Sequence, residues 1–511
     1  MQAPQFPTDK EPWIPVLFLD GHQEDLGWRQ VLLRAHTIED LALPLPPAAS
    51  AVLRTLVAMA ARISGLDDPH LSAGEWARRR RDLLKNPDGF DPARVEAYFD
   101  HHVWDLFHPE RPFLQDPRLA EQCTERAGVN KLVFGRPEGN NLAWLSPHTD
   151  TDPQPVPSGQ ALWHLLIHHY YGASGQCSAR TTSAGRQSGA KAGPLRAALS
   201  FHPLGRTLYE TLLAGLPKPS RPWPGAQDRC PWEEPLPDPD APPPPVTSPA
   251  RLLTGRSCHA LLLISSPDGR HVTDAYVTWA TQSKLPAADP YLIYHVDPKK
   301  PPAERYKARR ADAERALWRD LATLILAGDE DSEQPYTRRP EAFTTLNDLP
   351  SGLRSHLRVR VHGFDQDAKT SNRTWYTALT PPIWLWTQEH DDAAAERFSE
   401  CCKAAEKIGQ LLDDVSKEAW HKTVSPDRDG RQPPKQARRL PSWTHKARTH
   451  YWPRAESTFW QLLEDPSRNA DAAFARDAIT ALHTATATAV AHYFDAAPAL
   501  AHAVTRLRRA R

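Results

Sequence analysis

The sequence predicts an α+β fold: a large mixed N-terminal domain of short strands and helices over residues 1–382, then a C-terminal four-helix bundle over residues 383–511. Three observations lead there. At 511 residues the chain is too long for one simple core, and 40% hydrophobic residues are enough to bury more than one. Before Pro382, short alternating runs mix with short helical periods, punctuated by most of the 51 prolines. After Pro382, Ala, Glu, Lys and Leu dominate and apolar residues recur at helical spacing over long stretches.

Each element follows from local pattern. Residues 13–19 alternate weakly and form an opening strand, which Asp20-Gly21 can turn into a hairpin. Residues 28–36 and 47–63 carry helical periodicity; in the second, Val52, Leu56, Met59, Ala60 and Ile63 fall on one face. Residues 78–85 form a charged, solvated helical face. A helix over 95–107 should stop at His108, because Pro109 and Pro112 fix φ and cannot continue it. Phe113 and Leu114 then turn back into a core. Residues 162–171, LWHLLIHHYY, form an apolar helix ending at Gly172, a suitable left-handed cap.

The Gly/Ser/Ala/Thr segment from Gly172 to Gly193 reads as a loop, either disordered or shaped for close backbone approach to a ligand. Arg180, Arg186 and Lys191 within it favour a polyanion. Residues 207–216 are helical, and 217–249 are a proline-rich connection whose DPDAPPPP run is a stiff spacer. Residues 260–265 and 272–279 are strands joined at Asp268-Gly269. Residues 297–319 are a locally basic run passing into a helix that carries Leu317, Leu321 and Leu324. Residues 358–363 and 375–379 are strands flanking the polar segment FDQDAKTSN, whose tip projects from a rigid base. The bundle helices are 393–420, 448–464, 472–492 and 500–509.

Composition also excludes function classes. Lys+Arg 62 against Asp+Glu 62 gives a net charge of +0, which argues against a protein that coats nucleic acid by itself but leaves room for a local basic face. No stretch approaches the ~20 apolar residues that span a bilayer, so no membrane partner is expected. The N-terminus lacks the charged-then-apolar pattern of a secretion signal. The six cysteines, without Cys-x-x-Cys spacing, read as free buried thiols of a cytoplasmic protein. His164 and His168 stand four apart on a helix and could hold zinc. Leu165 stands where a metalloprotease needs Glu, however, and aromatic-rich helices bury histidine. Walker, Gly-x-Ser-x-Gly and Rossmann signatures are missing. The carboxylates of GFDQD suit a turn that bonds its own backbone. No catalytic residue, metal or cofactor is expected.

Two stretches remain. DLFHPERPFLQ (residues 105–115) combines a helix stop with core anchors. The polar loop NKLVFGRPEGNN (residues 130–141) has the composition of a contact segment, although an ordinary surface loop has it too. With the opening EPWIPV (residues 11–16), HPERPFLQ and this Asn-Phe-Gly loop, the chain resembles the CasA family, the large subunit of type I-E CRISPR Cascade complexes. GPLR (193–196), GRTLYETLL (205–213), the strand pair near Ala260, the basic segment after Asp297, the GFDQD tip and the C-terminal bundle extend the resemblance.

The resemblance implies a subunit without catalysis, at the foot of a crRNA-guided complex. Such a subunit inspects duplex DNA for a protospacer-adjacent motif from the minor groove, starts strand separation and recruits a helicase-nuclease. Its implied partners are the other Cascade subunits, the crRNA and double-stranded target DNA. The minor groove carries a degenerate code that small probes can read, and opening one base step costs about a few kcal/mol. Guide pairing supplies the sequence information. By position, the resemblance puts the wedge at Gln366, Asp367, Ala368 and Lys369, the glycine loop at Gly172 to Gly175, and a groove-probing lysine at Lys284. It makes 130–139 a docking loop near the 5′ end of the guide, with Phe134 as anchor and Asn130, Lys131 and Arg136 as polar contacts. Two other readings stay open: a metal-dependent hydrolase using His164, His168 and a carboxylate, and a structural scaffold presenting its bundle to partners.

Overall fold

The helix Pro46–Ser64 buries every residue except Arg62. The sequence pattern gave it one apolar face, but Ala48, Ala51, Ala58 and Ala61 let neighbours close on the other sides too, as in any helix apolar all round. Pro46 opens it, and Gly65 (φ 67) ends it in the left-handed region. The one cation inside, Arg54, is matched. Its guanidinium grips Asp289 at 2.7 and 3.0 Å and Ser200 Oγ at 2.6 Å, and Arg256 reaches the same carboxylate at 2.6 Å. A buried ion pair with its hydrogen bonds made is costly to break, so it fixes the segment around Asp289 on this helix.

The computed structural model describes residues 3–138, 146–219, 227–285, 288–302, 304–326, 333–367, 371–383, 392–424 and 441–510. They form two compact units, Met1–Glu314 with Ala327–Ile383, and Arg315–Leu326 with Trp384–Arg511. The first unit carries small antiparallel sheets. Ile14–Phe18 lies between Gln23–Leu26 and Ile38–Leu41. His271–Trp279 lies between Val156–Pro157 and His259–Ser265. Arg358–Gln366 lies between Asn372–Leu379 and Leu199–Leu204. Tyr294–Val296 lies between Tyr306–Ala308 and Tyr336–Arg338.

Several expectations need correction. The helix expected over 95–107 is Pro92–Asp100. The chain leaves it early because the Asp105 carboxylate accepts the N–H groups of Phe6 and Phe107, and a short bridge ties Asp105 to Pro7. The segment from Gly172 to Gly193 is no loop: Gly175–Thr182 and Gly185–Ala190 pair as an antiparallel hairpin. The expected 472–492 helix divides into Ala470–Ala485 and Ala489–His492. The helix after the basic run reduces to a 3₁₀ turn at Leu317–Asp320 and the short helix Leu321–Ile325.

In the second unit, Asp392–Thr423, Ser442–Glu464, Ala470–Ala485 and Ala496–Arg509 pack around Phe398, Ile408, Leu412, Tyr451, Phe459, Phe474, Leu482 and Leu507. The segment Arg315–Leu326 belongs here as well. Arg319 forks onto Glu406 at 2.7 and 2.8 Å and lies over the Trp452 ring, and Trp318 packs on Phe459. The six cysteines are free; Cys177 is part-exposed and the others are buried. Among the described residues no helix is long and apolar enough to cross a membrane.

Candidate nucleic-acid interface

The helix Ser158–Tyr171 supplies the frame. It is apolar and mostly buried, and the backbone after Tyr171 leaves it in an extended conformation. Gly172 has φ −55 and ψ 142, so it is not the left-handed cap the sequence suggested. Its lack of a side chain matters for closeness instead. A Cβ there would stand 2.4 Å from His259 Cε1 and 2.6 Å from the His168 carbonyl. His259 Nε2 donates to the Ala173 carbonyl at 3.0 Å and so pins the loop against the strand His259–Ser265. Gly175 does occupy positive φ, at 137, where the hairpin begins.

The 130–138 segment docks on the same helix. His168 Nε2 donates to the Leu132 carbonyl at 3.0 Å, and His164 Nδ1 accepts the Phe134 N–H at 3.3 Å. Burial pushes His164 down to about 3, His259 down to about 4, and His168 well below the ordinary histidine value. All three are therefore neutral at pH 7, which His164 needs in order to accept. Phe134 is half-buried. Its ring lies 4.5 Å from His168 and 5.8 Å from Phe364, so it packs on its own chain and is no free-standing anchor.

Asn130 is 3% exposed and spends its amide on the Thr149 carbonyl and the Asp150 carboxylate, which removes it from the set of outward contacts. Lys131 pairs with Glu138 at 2.6 Å, and Arg136 donates to the Gln154 carbonyl at 2.5 Å. These bonds shape the loop.

The third group is the hairpin Arg358–Gln366/Asn372–Leu379. Gln366 was expected within a wedge running to Lys369, and the structure turns its side chain inward. The side chain is 1% exposed. Its Oε1 accepts the Ala197 N–H at 3.2 Å, and its Nε2 donates to Asn372 Oδ1 at 2.8 Å and the Tyr171 carbonyl at 3.3 Å. It is the keystone of the hairpin end. Asp367 closes that end by accepting the Ser371 N–H on its carboxylate, with its own N–H on the Ser371 carbonyl. Ala368 and Lys369 lie outside the described residues.

Lys284 is exposed. The strand end before it is held against the Gly175–Ala190 hairpin, where Gln282 Nε2 donates to the Gly189 carbonyl at 2.8 Å and the Trp279 indole to the Gln187 carbonyl at 3.1 Å. Arg180, expected to meet a polyanion, is wholly buried. It bonds Asp116, Gln122 and the Trp279 carbonyl, whereas Arg186 is exposed.

The helix end thus gathers the 130–138 loop, the glycine loop and the 366–372 hairpin end. The sequence missed what ties the last two together: the Gly193–Arg196 turn. Gly193 N–H donates to the Gly172 carbonyl, Leu195 N–H to the Tyr170 carbonyl, and Arg196 to the Tyr171, Asp367 and Ser371 carbonyls. GPLR was visible as a motif, but nothing local in it reveals these partners.

The family described as CRISPR-associated protein Cse1 matches residues 10–493. A CRISPR-associated protein CasA/Cse1 of Thermus thermophilus is 27% identical over 452 residues, covering 83% of this chain and 80% of that one. A chain of a CRISPR RNA-guided surveillance complex superposes with a TM-score of 0.83 at 36% identity, covering 99% of each. The Thermus thermophilus CasA (Cse1) structure, at 22% identity and a TM-score of 0.73 over 99% of each chain, shares the fold. With nearly its whole length matched, the chain belongs to the CRISPR-associated protein Cse1 family.

Proposed function

We propose that this chain is the large, non-catalytic subunit of a crRNA-guided type I-E Cascade surveillance complex. In this reading it inspects duplex DNA for a protospacer-adjacent motif, begins strand separation for R-loop formation, and recruits a helicase-nuclease. Its partners are the other Cascade subunits, the crRNA and double-stranded target DNA, and its compartment is the cytoplasm. The full-length likeness to a surveillance-complex chain supports the assembly.

The observation that carries the inspecting role is the convergence at the Ser158–Tyr171 helix end. A loop suited to docking, a glycine loop suited to close backbone approach and a hairpin are held together at the end of one helix and by the strand beside it. That arrangement suits minor-groove inspection, where backbone and small probes suffice, coupled to unstacking of the adjacent base step. The probes proposed are Gly172 and Gly175 in the loop, Lys284 beside it, and the residues Asp367, Ala368 and Lys369. Docking through the 130–138 loop falls to its outer face, with Phe134 and Lys131 shaping it.

The test is a gel shift of the reconstituted complex, with and without this chain, on targets that differ only in the bases flanking the protospacer. The expected result is motif-dependent binding only when the chain is present. Equal target binding without it would remove the reading.

A further inference from the structure

Arg196 has an unusual set of partners for a residue with no place in the loops described above. Its side chain is 3% exposed. Nε donates to the Asp367 carbonyl at 3.1 Å, and Nη1 to the Tyr171 carbonyl at 3.1 Å and to Asn372 Oδ1 at 3.0 Å. Nη2 donates to the Ser371 carbonyl at 3.3 Å. One guanidinium therefore touches the last residue of the Ser158–Tyr171 helix, the residue after the first hairpin strand and the start of the second. The rest of its turn is equally committed. Gly193 N–H holds the Gly172 carbonyl at 2.9 Å. Ala197, at φ 60, aims its N–H into Gln366 Oε1. Arg310 closes the far side by donating to the Gln366 carbonyl at 3.0 Å.

The planar fork of arginine is what this site uses. Five N–H donors in a fixed planar fork reach four separate acceptors at once, where a lysine ammonium has only three donors at a single point. Burial lowers Arg196 to about 10, so it remains a cation at neutral pH and its bonds to neutral acceptors are charge-assisted. Without it, the Asp367 and Ser371 carbonyls lose this shared donor. The hairpin end then loses the guanidinium's bonds to it, while the Gln366 bond to the Tyr171 carbonyl and the Phe364–Tyr171 ring contact remain.

We propose that Arg196 is a positioning residue for duplex opening: it latches the Gln366–Asn372 hairpin end to the Tyr171–Gly172 backbone, so that groove reading and strand opening are delivered by one rigid body. The inference rests on the duplex-opening reading above. A hairpin end that swivels relative to the glycine loop would still meet DNA, but binding energy gained at the motif would no longer be directed onto the adjacent base step. Loss of the latch therefore slows opening more than motif binding.

The experiment uses the reconstituted complex carrying Arg196→Ala, Arg196→Lys or Asn372→Ala. Asn372 is exposed, so its substitution removes a shared acceptor without disturbing a core. Incorporation is checked on native gels. Opening is followed by permanganate reactivity of thymines next to the motif, on a fully paired target and on one already mismatched over the first base pairs. Arg196→Ala is expected to slow opening of the paired target on the order of tenfold or more, and Asn372→Ala to slow it less. Arg196→Lys should recover only part of the rate. The mismatched target should return all three to the unsubstituted rate.

Unsubstituted rates on the paired target would overturn the inference while leaving the functional reading intact. Slow reaction on the mismatched target too would also overturn it, because the defect would then lie in folding or assembly. Motif-independent opening by the unsubstituted complex would overturn the functional reading, and the inference with it.

Discussion

Gly172 shows how a single residue carries a structural demand beside the functional one proposed for it. Its backbone is ordinary, yet any side chain would strike the His259 ring and the His168 carbonyl. Gly172→Ala is expected to cost about 1–3 kcal/mol, because one of the struck groups is backbone and the other is a ring bonded to Ala173. Thermal melting of the isolated chain measures it. Gln366 makes a sharper distinction. A residue that merely pries at DNA can be truncated without loss of stability. Here Gln366→Ala takes the acceptor from the buried Ala197 N–H and leaves the Tyr171 carbonyl with Arg196 alone, so a loss of about 1–3 kcal/mol is expected in the absence of any nucleic acid. An unchanged melting midpoint would return Gln366 to the wedge. Phe134→Ala removes a half-buried ring from the His168–Phe364 contact and should cost roughly 1–3 kcal/mol, below the range for a full core position. Its effect on incorporation into the complex therefore has to be read beside the melt.

At the scale of the element, the Ser158–Tyr171 helix concentrates histidines that burial keeps neutral. His169 on this helix and His259 on the strand beside it are pushed down to about 4, against an ordinary 6.5. Below pH 6.5 the unfolded chain takes up protons that the folded one refuses. The stability these groups permit is therefore complete above that value and falls as pH drops toward 4, by about 1.4 kcal/mol per pH unit for each such group. The melting midpoint should fall between pH 7 and pH 5, and His169→Gln should make that fall shallower; an unchanged slope would place the titration elsewhere. The same helix shows what local pattern can and cannot reveal. Its run LWHLLIHHYY announced it, and the apolar run Ala260 to Ser265, with the segment Val272 to Trp279 after the Asp268-Gly269 turn, announced a strand pair. The Gly175–Ala190 hairpin was hidden because its residues are small and polar. It is held by backbone pairing and by Arg180, whose partners Asp116 and Gln122 are distant in the chain. Read locally, a buried arginine looks like a free cation. Arg196 was concealed for the same reason: its acceptors are mostly carbonyls, which carry no side-chain signature.

For the whole molecule, the balance of 62 basic and 62 acidic residues sets the terms of the proposed DNA binding. With no net charge to attract a polyanion at long range, and with Lys131, Arg136, Arg180 and Arg196 committed to internal partners, the proposed reading assigns duplex contact to exposed cations such as Lys284 and Arg186. The isolated chain should therefore bind duplex weakly at physiological salt, and motif discrimination should emerge only in the assembled complex. Lys284 separates two kinds of contact. If it reaches only a phosphate, Lys284→Ala weakens all sequences alike and lowers the salt slope by about 1. If it reads the groove floor, the same change collapses the difference between correct and incorrect flanking bases, worth about 1–3 kcal/mol per good base contact. Its position beside the glycine loop's hairpin favours the second outcome. A gel-shift series across salt concentrations, on paired targets with matched and altered motifs, measures both quantities at once. Because Lys284 is exposed and touches no core, the variant's melting midpoint should stay unchanged, so any loss of discrimination belongs to the contact and not to the fold.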